Sequence, residues 1–171
     1  SSSPVAAARP GDGGRLEGFS PEELRHFYRS LLLPRMIEEK MLLLLRLGRL
    51  SKWFSGMGQE AIAVGVAATL EPDDWILPMH RNLGVFTGRG LDLAQLFRQL
   101  LGKDGGFTRG RDRTFHFGAL DHHIVGMISH LGAMIPVAAG GAFALQHAGS
   151  RGVAINFIGE GGTSTGDFHE G

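Results

Sequence analysis

Residues 152–167 read GVAINFIGEGGTSTGD, and this stretch determines the fold class more clearly than any other part of the chain. Residues 153–158 form a nearly continuous apolar run, which is typical of a parallel strand covered on both faces. The glycines and hydroxyl side chains that follow predict a turn and then a helix. A parallel strand, a glycine turn and a helix place ligands at the carboxyl edge of an α/β sheet. The stretch therefore predicts both a strand of such a sheet and a ligand site at its end.

The glycine turn also indicates which class of ligand the site would bind. Gly159 and Gly161 let the backbone approach a bulky anion. Ser164 and Thr165 can offer hydroxyls, and the amides that open the next helix can bind phosphate. Glu160 would repel a diphosphate unless a cation lay between them, so a hard metal such as magnesium is implied. The segment lacks the Gly-Lys-Ser/Thr ending of a nucleoside-triphosphate loop and the spacing of a dinucleotide fingerprint. On spacing alone, an ordinary turn from strand to helix explains the motif equally well.

The chain upstream of this stretch alternates between helical and strand patterns. Ser20 and Glu23 form a capping box at the start of a helix. We expect Pro34 to kink or interrupt this helix before it resumes over 36–47, and Gly48 to end it. Further helices are predicted at 59–70, 91–101 and 131–147, strands at 75–77, 124–128 and 152–158, and a Gly/Arg loop at 102–118. Strands separated by helices indicate an α/β sheet.

Length and composition favour one folded domain and exclude several classes of protein. The 171 residues, 43% of them hydrophobic, suffice for one core, and we expect a disordered tail at 1–18 and a folded region at 19–171. The formal net charge is zero, so no basic excess indicates a nucleic-acid partner. The absence of cysteine excludes disulfides, thiolate metal sites and a cysteine nucleophile. The longest apolar stretch, 41–45, is too short to cross a membrane, and we expect a soluble protein of the bacterial cytoplasm or the mitochondrial matrix.

The glycine motif extends over 157–170 as FIGEGGTSTGDFHE. In this form it resembles the thiamine-diphosphate motif of the alpha subunit in the decarboxylating component of 2-oxo acid dehydrogenase complexes. That family includes pyruvate, branched-chain 2-oxo acid and acetoin dehydrogenases. The family motif begins Gly-Asp-Gly and ends with an Asn further along the chain. Here Glu160 replaces the Asp, as in branched-chain members, and the Asn would lie beyond Gly171, so we expect the metal shell and the fold to be incomplete at the C-terminus.

Two upstream segments carry the same resemblance towards the diphosphate. Residues 56–65, GMGQEAIAVG, are similar to the family's Gly-Gln-Glu-Ala helix. Residues 79–82, MHRN, occupy the place of a Tyr-Arg pair in which the arginine contacts the cofactor diphosphate. The resemblance therefore implies a diphosphate contact from Arg81, with His80 in the position of the tyrosine.

A third segment, 128–136, reads ISHLGAMIP and resembles the part of the family that meets the pyrimidine end of the cofactor. The family makes this contact through a serine side chain and a leucine backbone, which here are Ser129 and Leu131. Ser129 alone would also be explained as the cap of the following helix. The neighbouring residues depart from the members that bind potassium in this loop, so we expect no potassium site.

The resemblance implies a larger set of site residues. The cofactor-binding residues are His80, Arg81, Ser129, Leu131, Gly159, Glu160, Gly161 and Gly162, and Glu160 is also the metal ligand. His116 matches a family histidine near the active-site entrance and is the catalytic candidate, with an exposed loop histidine as the alternative. Adjacent histidines at 122 and 123 lack a third ligand, which favours a structural role over zinc. The arginines at 109, 111 and 113 form either a solvated loop or a docking site for an acidic lipoyl-carrying partner.

The resemblance also implies a fold, an activity and partners. The fold is thiamine-diphosphate-binding, with a mostly parallel sheet flanked by helices and an N-terminal helical arm. The activity is oxidative decarboxylation of pyruvate or a branched-chain 2-oxo acid, dependent on thiamine diphosphate and magnesium, with acyl transfer to a lipoyl group on an acyltransferase. A beta subunit, in an alpha2-beta2 heterotetramer, supplies the carboxylate that activates the cofactor, so the chain alone is expected to be inactive. The alternatives are an acetoin dehydrogenase alpha subunit and a non-catalytic phosphate-binding or assembly subunit.

Overall fold

The computed structural model describes residues 18–112 and 114–171. The predicted tail lies outside the described residues except for Gly18, and so does Arg113 of the arginine run. The helices are α1 (Pro21–Arg46), α2 (Glu60–Thr69), α3 (Leu83–Gly88), α4 (Leu93–Leu100), α5 (Met134–His147) and α6 (Gly166–Glu170). The strands are β1 (Trp75–Leu77) and β2 (Ala154–Asn156), and 3-10 turns occupy Leu120–His122 and Glu160–Ser164.

Helix α1 begins and ends as the sequence predicts, but it is not interrupted. The Ser20 hydroxyl accepts a hydrogen bond from the Glu23 amide at 3.2 Å, and the Glu23 carboxylate accepts one from the Ser20 amide at 2.7 Å. Gly48 follows the last turn with φ of +67°, a conformation that glycine adopts without strain. Of the expected kink or interruption at Pro34, the interruption is wrong, because α1 is one continuous helix around this buried proline. Buried packing contacts after the proline offset the missing amide hydrogen bond.

The sheet is small and parallel. Strand β1 pairs with β2 so that Ile76 lies opposite Ile155. On its other side β1 is bridged in parallel by Ile124, which places β1 between the two later segments. The described residues therefore form a helix-rich α/β arrangement with a small parallel sheet, in agreement with the predicted α/β class. None of its helices combines the length and apolar character needed to cross a membrane.

Two of the predicted strands are shorter than expected. The strand predicted at 124–128 is reduced to a bridge, because Gly126 adopts φ of +96° and turns the backbone out of the sheet directly after Val125. The strand predicted at 152–158 keeps three residues. Outside them, the Val153 carbonyl oxygen accepts from the Trp75 amide at 2.8 Å, and the Phe157 amide donates to the Leu77 carbonyl oxygen at 3.0 Å. The three residues of β2 are half-buried rather than covered on both faces.

The core lies where α1, α2 and α3 pack together, while α5 lies against the sheet. Helix α3 has no counterpart among the predicted elements, because its six residues are too few to show a helical period. It packs closely on α2: a Cβ at Gly84 would lie 2.8 Å from the Val64 side chain. The largest fully buried apolar side chains of the core are Phe86, Phe115, Met41, Ile76, Leu77, Leu83, Leu96, Leu100 and Ile124.

Candidate functional site

A cavity of about 260 Å³ lies at the carboxyl edge of the parallel strands. The residues that directly follow β1, 78–80, and those that directly follow β2, 157–159, both line it. The expected position of a ligand site in an α/β sheet is this edge. The lining includes five of the predicted site residues, which are His80, His116, Ser129, Leu131 and Gly159.

Arg81, Glu160, Gly161 and Gly162 are next to this lining in sequence but are not part of it. The structure therefore brings together the segments at 80, 116, 129–131 and 159, which are separated by as many as 79 positions in the sequence. Most of the lining is apolar, with a few polar groups among them, which is the usual character of a cofactor pocket.

His116 and Ser129 form a hydrogen-bonded pair inside the cavity. The His116 Nε2 and Ser129 Oγ lie 2.6 Å apart, with the donor set by the tautomer of the imidazole. The His116 Nδ1 is buried and has no hydrogen-bond partner within the described residues. A buried imidazole nitrogen without a partner carries a desolvation cost that a bound ligand or water would relieve. His116 is thus a half-buried wall residue rather than an exposed loop histidine.

His80 is held in a neutral state by its surroundings. Its ring lies 4.7 Å from the Phe54 ring, centroid to centroid, at an interplanar angle of 61°. Burial lowers the pKa of His80 below its ordinary value of 6.5, and electrostatic repulsion from Arg81, and from His116 when its imidazole is protonated, lowers it further. At neutral pH the imidazole therefore adds no charge beside Arg81.

Arg81 is fixed by the turn that precedes α2. Its Nη1 donates a hydrogen bond to the Ser55 carbonyl oxygen at 2.7 Å. Gly56 packs against the Arg81 backbone so closely that a Cβ at this position would overlap the Arg81 carbonyl oxygen. A guanidinium group carries five N–H donors, so the bond to Ser55 leaves others for an anionic ligand.

The glycine motif forms the 3-10 turn Glu160–Ser164, and α6 begins at Gly166, so the predicted order of a turn and then a helix is confirmed. A Cβ at Gly159 or Gly161 would meet no atom of the described chain within 4 Å, and neither glycine has a positive φ. Neither the backbone conformation nor protein packing therefore requires glycine there, whereas close approach of a ligand would. Gly162 differs, because it is buried and a Cβ would lie 2.8 Å from the Ile158 side chain.

The Glu160 side chain is exposed and makes no hydrogen bond or ion pair within residues 18–112 and 114–171. In the same ranges, no group of three or more His, Asp or Glu side chains is arranged to hold a metal ion. Glu160 can thus supply one carboxylate ligand to a metal but no complete shell. Of the two predicted phosphate hydroxyls, that of Thr165 donates to the Gly162 carbonyl oxygen at 2.8 Å, and Ser164 remains exposed.

The other singled-out residues lie outside the cavity. His122 Nδ1 lies 3.0 Å from the Arg89 carbonyl oxygen, and the His123 ring stacks on Trp75 at 4.8 Å. These contacts give both histidines structural roles. Arg109 and Arg111 are exposed, so the choice between a solvated loop and a docking site stays open.

Sequence reasoning missed several residues of this region, among them Phe54, Asn156 and Glu38. Phe54 and Asn156 line the cavity, and Glu38 is a buried carboxylate beneath the turn at 53–56. A signal in the sequence could have identified Asn156, because it is the polar residue within an otherwise apolar strand. Glu38 has one as well, since it lies on the same helical face as Pro34 and Met41, in a core position.

Comparison with known proteins shows which family the chain belongs to. The profile of the family described as "Dehydrogenase E1 component" matches residues 28–171. The chain belongs to this family, among its alpha subunits. The mitochondrial 2-oxoisovalerate dehydrogenase subunit alpha of Dictyostelium discoideum is 33% identical over 151 residues, which is 88% of this chain and 34% of that protein. The corresponding Mus musculus subunit is 34% identical over 150 residues, again 88% of this chain and 34% of that protein.

The mitochondrial subunit alpha 1 of Arabidopsis thaliana is 36% identical over 126 residues, which is 74% of this chain and 27% of that protein. The chain thus spans about a third of the length of the curated relatives it matches. Its membership of the E1 component family confirms the resemblance seen in the sequence.

Proposed function

We propose that this chain is the diphosphate-binding part of the alpha subunit of a branched-chain 2-oxo acid dehydrogenase. The reaction is the oxidative decarboxylation of a 2-oxo acid with transfer of the acyl unit to a lipoyl group. The observation that carries the proposal is the convergence of His80, His116, Ser129, Leu131 and Gly159 on one cavity at the carboxyl edge of the sheet. The names of the relatives, which are 2-oxoisovalerate dehydrogenase subunits, favour a branched-chain substrate over pyruvate.

Thiamine diphosphate and magnesium are the cofactors of this proposal, and the residues fit them. The open space over Gly159 and Gly161 accommodates a bulky anionic group. The exposed Glu160 carboxylate is of the hard oxygen type that magnesium prefers. Bound thiamine diphosphate supplies the electron sink for the loss of carbon dioxide. We assign the thiamine-diphosphate-binding fold to residues 19–171 on the same grounds.

The residues of this chain bind and orient the cofactor rather than carry out the whole reaction. Arg81, held by Ser55, would present its remaining N–H donors to the diphosphate, and Glu160 would hold the metal that neutralises it. Ser129 and the backbone of Leu131 would contact the other end of the cofactor. His116, whose Nε2 shares a proton with Ser129, is placed to hold or release a proton at the cavity wall.

The complete enzyme in this proposal includes a second subunit and acts together with a separate acyltransferase. A beta subunit completes the site in an alpha2-beta2 heterotetramer and supplies the carboxylate that activates the cofactor. A lipoyl-bearing acyltransferase accepts the acyl unit. The relatives are mitochondrial by name, and we extend the location in the mitochondrial matrix to this protein.

The test is an assay of carbon dioxide release from 2-oxoisovalerate, with pyruvate as the comparison substrate. The full-length alpha subunit and its beta partner together are expected to turn over 2-oxoisovalerate faster than pyruvate, with thiamine diphosphate and magnesium required. Each subunit alone is expected to be inactive. Robust turnover by this chain alone, or no turnover of either acid by the pair, would contradict the proposal.

A further inference from the structure

A buried carboxylate beneath the site holds the turn on which Arg81 rests. Glu38 lies in the middle of α1 and is 1% exposed. Its Oε2 accepts hydrogen bonds from the Trp53 Nε1 at 2.7 Å and the Ser55 hydroxyl at 2.9 Å. Its Oε1 accepts a third from the Gly56 amide at 2.8 Å. A buried carboxylate is costly unless it is hydrogen-bonded, and three donors from one short turn satisfy Glu38.

The same turn makes the contacts that fix Arg81. The Ser55 hydroxyl bonds to Glu38, while the Ser55 carbonyl oxygen accepts the hydrogen bond from the Arg81 guanidinium. The Gly56 amide bonds to Glu38, while its α-carbon packs directly on the Arg81 carbonyl. Ser55 and Gly56 therefore each bind the Glu38 carboxylate through one group and hold Arg81 through another.

The adjoining Phe54 connects this turn to the cavity. Phe54 lines the cavity and packs edge-on against His80, the residue before Arg81. Movement of the turn at 53–56 would consequently displace the guanidinium support and the aromatic wall together. If Glu38 only stabilised the core, its carboxylate would not need to accept its hydrogen bonds from this particular turn.

We infer that Glu38 is a positioning residue, which sets the place of the Arg81 guanidinium by anchoring the turn at 53–56. The inference rests on the proposed function, since it gives Arg81 the role of diphosphate ligand. Glu38 itself does not touch the cofactor. Its effect is on cofactor affinity, because a guanidinium that is not held in place must be ordered when the diphosphate binds.

The decisive variant is Glu38→Gln in the complete alpha–beta protein. Glutamine has the same shape, but its NH2 group places N–H donors where one of the two carboxylate oxygens accepted, so at least one of the three bonds that anchor the turn is lost. Titration calorimetry with thiamine diphosphate and magnesium is expected to show a dissociation constant raised about tenfold. Glu39→Gln is the matched control, because Glu39 is the exposed neighbour on the same helix, and we expect it to bind as the wild type does.

A double-variant comparison separates positioning from general destabilisation. Arg81→Met is expected to weaken cofactor binding, and adding Glu38→Gln to it is expected to cause no further weakening. The unfolding midpoint, in contrast, should fall by the same amount when Glu38→Gln is added to either background. Additive losses of cofactor affinity would overturn the inference, and so would wild-type affinity in a folded Glu38→Gln protein.

Two further outcomes keep the proposals distinct. Wild-type affinity in the Arg81→Met protein would contradict the proposed diphosphate role of Arg81 and hence the function on which the inference rests. If Glu38→Gln does not fold, Ser55→Ala carries the test, because it removes one donor to Glu38 and leaves the Ser55 carbonyl in place. We expect this variant to bind thiamine diphosphate more weakly than Glu39→Gln, and equal affinity would overturn the inference.

Discussion

At the scale of single residues, His80 should make the stability of the folded chain depend on pH. Its pKa in the folded chain lies below 6.5 because burial and then repulsion from Arg81, and from His116 when its imidazole is protonated, disfavour the imidazolium. The unfolded chain therefore binds this proton at a higher pH than the folded chain does. The contribution of neutral His80 to the free energy of unfolding is therefore fully present above pH 6.5. It decreases as the pH falls from 6.5 towards the pKa of His80 in the folded chain, and it stays constant below that pKa.

The check is urea denaturation of wild type and His80→Asn across this pH window. The wild type is expected to lose more unfolding free energy than His80→Asn as the pH is lowered below 6.5. Parallel pH profiles for the two proteins would show that His80 titrates alike in the folded and unfolded chains.

At the scale of elements, the packing of α3 on α2 depends on a glycine. A Cβ at Gly84 would lie 2.8 Å from the Val64 side chain and 3.0 Å from the Ala63 Cβ, so the two helices would have to separate. Gly84→Ala is expected to lower the unfolding free energy by about 1–3 kcal/mol through overpacking. Gly65→Ala is the matched control, because Gly65 is an exposed helical glycine with no atom of the described chain near its Cβ position.

Gly65→Ala is expected to raise the unfolding free energy by about 0.5–1 kcal/mol, since alanine loses less backbone entropy in a helix. Urea denaturation measures both variants. Equal effects of the two substitutions would contradict the close packing of α2 and α3.

The comparison of elements shows which parts of the fold the sequence could predict. The capping box at Ser20 and the glycine stop at Gly48 are local signals, and both ends of α1 follow them. The continuation of α1 through Pro34 depends on packing against residues that are distant in the sequence, and no local sequence signal predicts such packing. Helix α3 was missed for the same reason, because burial between α1 and α2 rather than periodicity maintains its six residues.

The candidate site likewise has parts that the sequence could predict and parts that it could not. The convergence of residues after β1 with residues after β2 follows from parallel pairing, which the apolar run at 153–158 predicts. The 2.6 Å contact between His116 and Ser129 and the anchoring of the turn at 53–56 by Glu38 depend on how loops fold, which no period or spacing reveals. The roles of the nine predicted site residues stay predictions until cofactor binding is measured.

At the scale of the whole molecule, apolar surface is exposed on the side of the sheet covered by α5. Phe143 on α5 is 70% exposed, and an apolar groove of about 390 Å³, which Phe143 does not line, lies between α5 and the sheet. Exposed apolar area of this kind favours association with other apolar surfaces. The chain alone is therefore expected to bind the dye ANS and to self-associate as its concentration rises.

Phe143→Ser is expected to reduce both effects, with fluorescence titration and analytical ultracentrifugation as the measurements. Ser substitution at Tyr28, a large exposed side chain on α1, serves as the control and is expected to change them less. A monomer that binds no dye would contradict the account of this face.

Calorimetric titration of the complete alpha–beta protein with thiamine diphosphate decides whether Glu160, flanked by glycines, holds a divalent ion that neutralises the cofactor diphosphate. We predict tight binding that requires magnesium in the wild type and in Glu160→Asp, which keeps the carboxylate. In Glu160→Ala the affinity should fall to the level of the metal-free wild type. Equal affinity in Glu160→Ala and wild type, or binding that is unchanged when divalent ions are removed, would contradict the claim.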